Sequence, residues 1–234
     1  MWSVAKRELT VYFKNPIGYI VIAVYAMLSA IIFTITVLNQ NTSYLGQYFG
    51  MWLFVADIVV ISILSMRYFS EDRKNKTDQL LLTSPTGIYE IVIGKFLGSL
   101  IIFMIAFCIN IFYILVVQVY GTLDFGIVIT NLVGTLFVCS AMVSIGLFIS
   151  SITESQLTSA AGTFILLFGL MVIKLFASFL PNVVQSIVGF FTIYDYYSDF
   201  ANGIFSFPAI IYYISITAVF LFLTVRMIEK RRWN

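Results

Sequence analysis

Six apolar runs, each about as long as a bilayer core is thick, constrain what this chain can fold into more than any other feature. They lie near residues 17–38, 46–66, 92–118, 127–150, 157–180 and 208–228 of the 234. A bilayer core holds no water to pair with exposed backbone, so a crossing segment must close its hydrogen bonds internally, and runs of this length do so as α-helices. The predicted fold class is an all-α integral membrane protein with six transmembrane helices in a single domain over 1–234. Mean hydropathy of +1.01 and a charged fraction of only 10% agree, since soluble domains carry about a quarter charged residues. The first run lacks a small-residue cleavage site and reads as a retained span, not a signal peptide. The third is longer than a crossing needs, so it is expected to tilt or to extend into the cytoplasm as a continuation of the charged segment before it.

Lys and Arg collect in cytoplasmic segments, and here the spans separate them into three blocks. Lys6, Arg7 and Lys14 precede the first span; Arg67, Arg73, Lys74, Lys76 and Lys95 lie between the second and third; Arg226, Lys230, Arg231 and Arg232 follow the sixth. Six crossings put all three blocks on one side, with both termini in the cytoplasm of a multi-pass inner or plasma membrane protein. Lys174 is the one exception. The external loops are then 39–45, 119–126 and 181–207, which carry no Lys or Arg.

Two flanking segments read as surface elements. Within 1–15, Trp2, Ala5, Leu9 and Tyr12 recur at helical spacing while Lys6, Arg7, Thr10 and Lys14 occupy the rest, the pattern of an amphipathic helix lying on the cytoplasmic leaflet. Within 181–207, the apolar piece Val183 to Phe191 is too short to span. Ten aromatic residues lie between Phe190 and Tyr213, where the chain's average of 17% would give about four. This segment reads as a short helical hairpin at, or re-entering, the outer leaflet.

Arg67 to Lys95 is a charged island holding 9 of the 24 Asp, Glu, Lys and Arg residues. Ser84-Pro85 suits a helix start, with Ser as N-cap and Pro at the first helical position. Upstream, 77–82 can form a short helix exposing Leu80, Leu81 and Leu82, which need either the membrane surface, the N-terminal helix or a groove on a soluble partner to cover them.

Catalytic and nucleotide-binding signatures are missing. Gly94-Lys95 is not a phosphate loop, because Tyr89 stands where that motif needs Gly and Phe96 where it needs Ser or Thr. With no histidine, and with Cys108 and Cys139 each inside a span as small buried hydrophobes, no metal site is expected. Gly94-x-x-x-Gly98 and Ser140-x-x-x-Ser144 permit close helix approach, read as packing within the chain.

Two ionisable residues fall inside spans, where burial is expensive and function is the default hypothesis. Asp57 is near the middle of the second span and Lys174 in the outer half of the fifth. Either Lys174 snorkels outward while Asp57 hydrogen-bonds to neighbouring hydroxyls or lies neutral, or the two pair across a polar path.

Three stretches, KRELTVYFKNPIGYI, RYFSEDRKNKTDQLLLTSPTGIYEIVIGKFLG and IYDYYSDFANGIFSFPAIIYYISITAVFLFLTVRMIEKRRW, in this order across six spans, resemble the ABC-2 type (type-2 ABC exporter) permeases. The likeness is to the branch of gliding-motility and nitrous-oxide-reductase-maturation permeases especially. The resemblance implies a transmembrane half-transporter that binds no cofactor itself. ATP and Mg²⁺ would sit on two separate ATPase subunits, and a second permease half, the same chain or a paralogue, would complete the pathway, with a possible accessory membrane protein and no nucleic acid. It further implies that the N-terminal helix, with Trp2, Lys6, Arg7, Leu9 and Tyr12, is an interface helix. Within 67–91 it implies a coupling helix around Asp78, Gln79, Leu80, Leu81, Leu82, Thr83, Ser84 and Pro85, preceded by the acidic Glu71. Tyr194, Asp195, Asp199 and Gly203 would belong to the external re-entrant hairpin; Tyr196 departs from the family, where histidine is frequent. The implied activity is ATP-driven export of an amphipathic, lipid-like or peptide cargo, so the chain is not itself an enzyme. The alternatives are a proton-coupled secondary transporter using Asp57, and a non-transporting membrane anchor for a cytoplasmic complex.

Overall fold

A computed structural model describes residues 2–14, 16–40, 42–74, 87–122, 124–177 and 192–233, with side chains described at all of these except 2, 3, 74, 174–177 and 231–233. The described residues are helical nearly throughout and contain no strand. Six helical segments are long and apolar enough to cross a membrane: Pro16–Leu38, Gly46–Arg73, Ile88–Tyr120, Phe125–Ile152, Gln156–Ile173 and Phe207–Lys230.

In chain order, α1 (Trp2–Lys14) is followed by α2 (Pro16–Phe33), which ends in a π-helical turn over Thr34–Leu38. Pro16 opens α2, where its missing N–H costs no hydrogen bond. The second crossing comprises α3 (Gly46–Phe49), α4 (Met51–Ser65) and α5 (Ser70–Lys74). The third is α6 (Ile88–Phe107) and α7 (Asn110–Tyr120). Then come α8 (Phe125–Ile152), α9 (Gln156–Ala177), α10 (Ile193–Ala201) and α11 (Phe207–Trp233).

Helices α8 and α4 form the centre. Val138, Cys139, Ala141, Met142, Val143 and Leu147 of α8 are fully buried, as are Leu53, Ile58, Val60, Ile61 and Leu64 of α4. Burial on all sides fits their sequences, which are apolar around the whole circumference instead of along one stripe. The principal packing is α11 on α8, α9 and α2 on α4, and α4 on α8, with α1 laid against α6. The outer faces of α2, α7 and α11 keep Met27, Phe112, Ile211 and Phe222 exposed, which is what lipid-facing surface requires.

One reading of the sequence is corrected here, that of Cys108, and the third crossing carries a break that the sequence did not announce: the α-helical ladder lapses at Cys108–Ile109, where the Ile109 N–H donates to the Ala106 carbonyl and the Phe112 N–H to the Ile109 carbonyl. No Pro or Gly causes it. The break turns Asn110 inward, where its side chain is fully buried. Cys139 is buried, but Cys108, beside the break, is exposed. The segment 178–191, which holds the first part of the expected hairpin, lies outside the described residues.

Candidate functional site

At the end of the bundle that carries α1, hereafter the basic end, the two flanks of 75–86 are held by a network of charges. Glu8, Arg67, Glu71, Asp72, Arg73 and Lys95 build it, and they come from α1, the α4–α5 stretch and α6. Arg67 is buried and grips Glu71 with two parallel bonds, Nε to Oε2 at 2.5 Å and Nη2 to Oε1 at 3.0 Å. Arg67 lies in the turn between α4 and α5 and Glu71 in the first turn of α5, so the pair ties the turn to the helix that follows it, and the planar guanidinium matches the carboxylate fork. Its guanidinium carbon lies 4.7 Å from the ring centre of Tyr12, so α1 is stacked onto the second crossing. Tyr12 is itself buried, and burial pushes its phenol well above the ordinary tyrosine range, with Tyr68 and Glu8 adding to the effect.

Lys95 is the second node. Its side chain is 2% exposed, and Nζ meets Asp72 Oδ2 at 2.7 Å and Glu8 Oε1 at 3.3 Å while donating to the Tyr68 carbonyl at 2.8 Å. One ammonium therefore ties α6 to α1 and to the start of α5. A charge this deep is tolerated because two carboxylates and a carbonyl replace its water.

The third node fixes α5 to the central helix. Ser150 Oγ of α8 accepts from the backbone N–H of Phe69 and Ser70 at 3.0 and 3.2 Å, capping otherwise orphaned donors at the start of α5. Arg73 donates to the carbonyls of Ser151 and Thr153, where α8 ends and its dipole favours a cation. From the neighbouring α9, Ser159 Oγ donates to the Ser65 carbonyl at 3.0 Å.

Of the residues proposed from the sequence, Glu71 belongs to this network. Lys6 and Arg7 are exposed on α1, Leu9 is partly buried against the core, and the Trp2 side chain is not among those described. Asp78, Gln79, Leu80, Leu81, Leu82, Thr83, Ser84 and Pro85 all lie outside the described residues. Glu8 is a member the sequence reading passed over. Its acidic side chain next to Arg7 on an otherwise basic helix was the available signal.

At the opposite end, α10 packs as a lid over α4 and α8. Tyr194 and Tyr197 meet Phe54 with ring centres 5.1 and 5.4 Å apart, Tyr213 Oη donates to the Ile193 carbonyl at 2.8 Å, and Thr130 Oγ1 bonds the Phe200 carbonyl. Asp195 and Asp199 are half-buried on α10. Gly203 ends the element with φ of 83°, a conformation only glycine adopts without strain, and leads the chain into α11. Tyr196 stacks on Tyr212 at 4.3 Å.

Asp57 sits between these two ends, fully buried on α4, with neither carboxylate oxygen hydrogen-bonded. A pairing of Asp57 with Lys174 concerns a side chain outside those described. An apolar groove of about 490 Å³ opens between α8, α9 and α11, lined by Ile145, Leu166, Leu170, Ile216 and Phe220 among others. Among the described residues, no three His, Cys, Asp or Glu side chains are placed to hold a metal ion.

Residues 2–228 match the family described as ABC-2 family transporter protein, a stretch that runs from α1 to near the end of α11. No curated protein matches the chain.

Proposed function

The chain belongs to the ABC-2 family of transporter proteins, multi-pass membrane permeases, and on that premise we propose that it is the permease subunit of an ATP-driven exporter in the cytoplasmic membrane, with both termini in the cytoplasm. We place it in the branch of gliding-motility and nitrous-oxide-reductase-maturation permeases on the likeness of its three sequence blocks. Two separate ATPase subunits, holding ATP and Mg²⁺, dock from the cytoplasm, and a second permease half completes the pathway.

The observation that carries this reading is the charge network at the basic end. The segment 75–86 enters through Asp72–Arg73 and leaves toward Lys95, and both flanks are bound to α1 and, through Arg73, to α8. A displacement of that segment by a partner would therefore be passed to three crossings at once instead of being absorbed by a loose loop. The coupling helix is assigned to Asp78–Pro85, α1 to the interface helix and α10 to the external hairpin. The apolar groove beside α11 supports an amphipathic or lipid-like cargo over a small ion.

The test is purification of the chain from its own membranes in mild detergent, followed by assay of co-purified ATPase activity. The Leu80→Asp/Leu81→Asp double variant is expected to lose that activity, because charges in an apolar docking groove leave it unpaired and desolvated. ATPase retained at the wild-type level by the double variant would remove the docking assignment.

A further inference from the structure

Helix α1 spends its apolar stripe on the protein and not on lipid. Ala5 and Tyr12 are buried and Leu9 is partly buried against the core, and Gly98 of α6 has no room for a Cβ beside Glu8 and the Ala5 carbonyl. The face left outward carries Lys6, Arg7, Thr10 and Lys14, all exposed. Glu8, the one acid of α1, is turned inward to Lys95. The outward face is therefore cationic, with no acid of its own helix to answer it. By charge, the residues outside those described do not answer it either: their one acidic side chain, Asp78, lies in the segment 75–86, which also holds Lys76.

Two contacts set the depth of this face. From Gly98, where α1 crosses α6, the third crossing runs on for 22 residues to Tyr120, about 33 Å at 1.5 Å per residue and close to the thickness of a hydrocarbon core. Phe13 meets Tyr19 edge to face at 6.0 Å, and Tyr19, in the first turn of α2, is 60% exposed, as an aromatic side chain at a membrane boundary is. Helix α1 thus lies where hydrocarbon gives way to headgroups.

We propose that the outward face of α1, with Lys6, Arg7 and Lys14, is a binding surface for anionic phospholipid, whose phosphates supply the negative charge that the chain does not. Binding is by charge at the headgroup level and not by insertion of the apolar stripe, which α6 already covers. Occupancy also reaches the charge network. Arg7 Nη2 and Lys95 Nζ share a single oxygen, Glu8 Oε1, at 3.1 and 3.3 Å. A phosphate that engages Arg7 leaves that oxygen to Lys95, so anionic lipid tightens the seat of α1 on α6. The inference needs neither ATPase nor cargo, and it rests on the orientation proposed above only in naming the cytoplasmic leaflet as the source of the lipid.

Thermal unfolding of the purified full chain in neutral detergent tests it, with phosphatidylglycerol or phosphatidylcholine of the same acyl chains added in excess. The melting temperature is expected to rise with phosphatidylglycerol and to stay unchanged with phosphatidylcholine. The rise should vanish at about 0.5 M salt, where the screening length falls to roughly 4 Å. Lys6→Gln/Arg7→Gln/Lys14→Gln should lose the rise, whereas Arg226→Gln/Lys230→Gln, which removes exposed cations of α11 at the same end, should keep it. Equal responses to the two lipids would overturn the proposal, as would a rise retained by the α1 variant or lost equally from both variants. A rise produced by inorganic phosphate alone would also overturn it, since the surface would then bind a free anion and not a lipid.

Discussion

At the scale of single residues, Lys95 is the most consequential charge in the molecule. It lies in an apolar helix and would be expected to weaken it, yet Glu8, Asp72 and the Tyr68 carbonyl converge on its ammonium. Removing it leaves two partly buried carboxylates facing each other. Lys95→Met is expected to destabilise the protein by about 2 kcal/mol, less than for a fully dry pair because Glu8 and Asp72 keep some exposure to solvent. Thermal unfolding in detergent checks this, and adding Glu8→Gln to the Met variant should restore part of the loss. Equal melting temperatures for wild type and Lys95→Met would show that the ammonium is not a structural node. A related case is Tyr48, whose hydroxyl donates to Asn110 inside the bundle. Tyr48→Phe should cost about 1–3 kcal/mol, the penalty of an acceptor left unpaired in a buried site, read by the same unfolding measurement.

At the scale of elements, the seat of α1 on α6 is set by Gly98. A Cβ at that position would lie 3.0 Å from Glu8 Cβ and 3.6 Å from the Ala5 carbonyl, so the two helices meet with no room for a side chain. Gly98→Ile is expected to push α1 away, lengthen the Lys95–Glu8 contact and cost about 1–3 kcal/mol from overpacking. Thermal unfolding in detergent checks this; a melting temperature equal to that of the parent would count against the close seam. The Gly94-x-x-x-Gly98 spacing was visible in the sequence, but its partner was not, because nothing in a pattern of small residues names the helix that fills the space. The break at Cys108–Ile109 was less visible still. It occurs in a run of good span-forming residues, and only the buried hydroxyls of Tyr25 and Tyr48, on two other elements, give Asn110 a reason to turn inward.

At the scale of the whole molecule, the three basic blocks and six crossings predict which loops share a side. With Cys108 and Cys139 replaced by Ser, a Thr122→Cys variant should react with a membrane-impermeant maleimide in intact cells, whereas Ser155→Cys should react only after lysis. The opposite pattern would invert the assigned orientation and place the charge network outside. The same test separates the network's role from its existence, since the ion pairs of Lys95 and Arg67 hold the basic end together whichever way it faces.

What the sequence alone determined was the class of structure and the rough position of its crossings. Burial in a bilayer is a local, nearly additive property of about 20 consecutive residues, so each run declares itself without reference to the others. The amphipathic spacing of α1 and the charged island were legible for the same reason. What only the tertiary structure decided was pairing: Arg67 over Tyr12, Lys95 between Glu8 and Asp72, and Asn110 reaching Tyr25 across 85 residues of sequence. Such contacts depend on which helix faces come to face each other, and near-uniform apolar helices carry little periodicity to say so. The island that read as isolated charge between hydrocarbon runs is, in the folded chain, the place where three crossings are tied together.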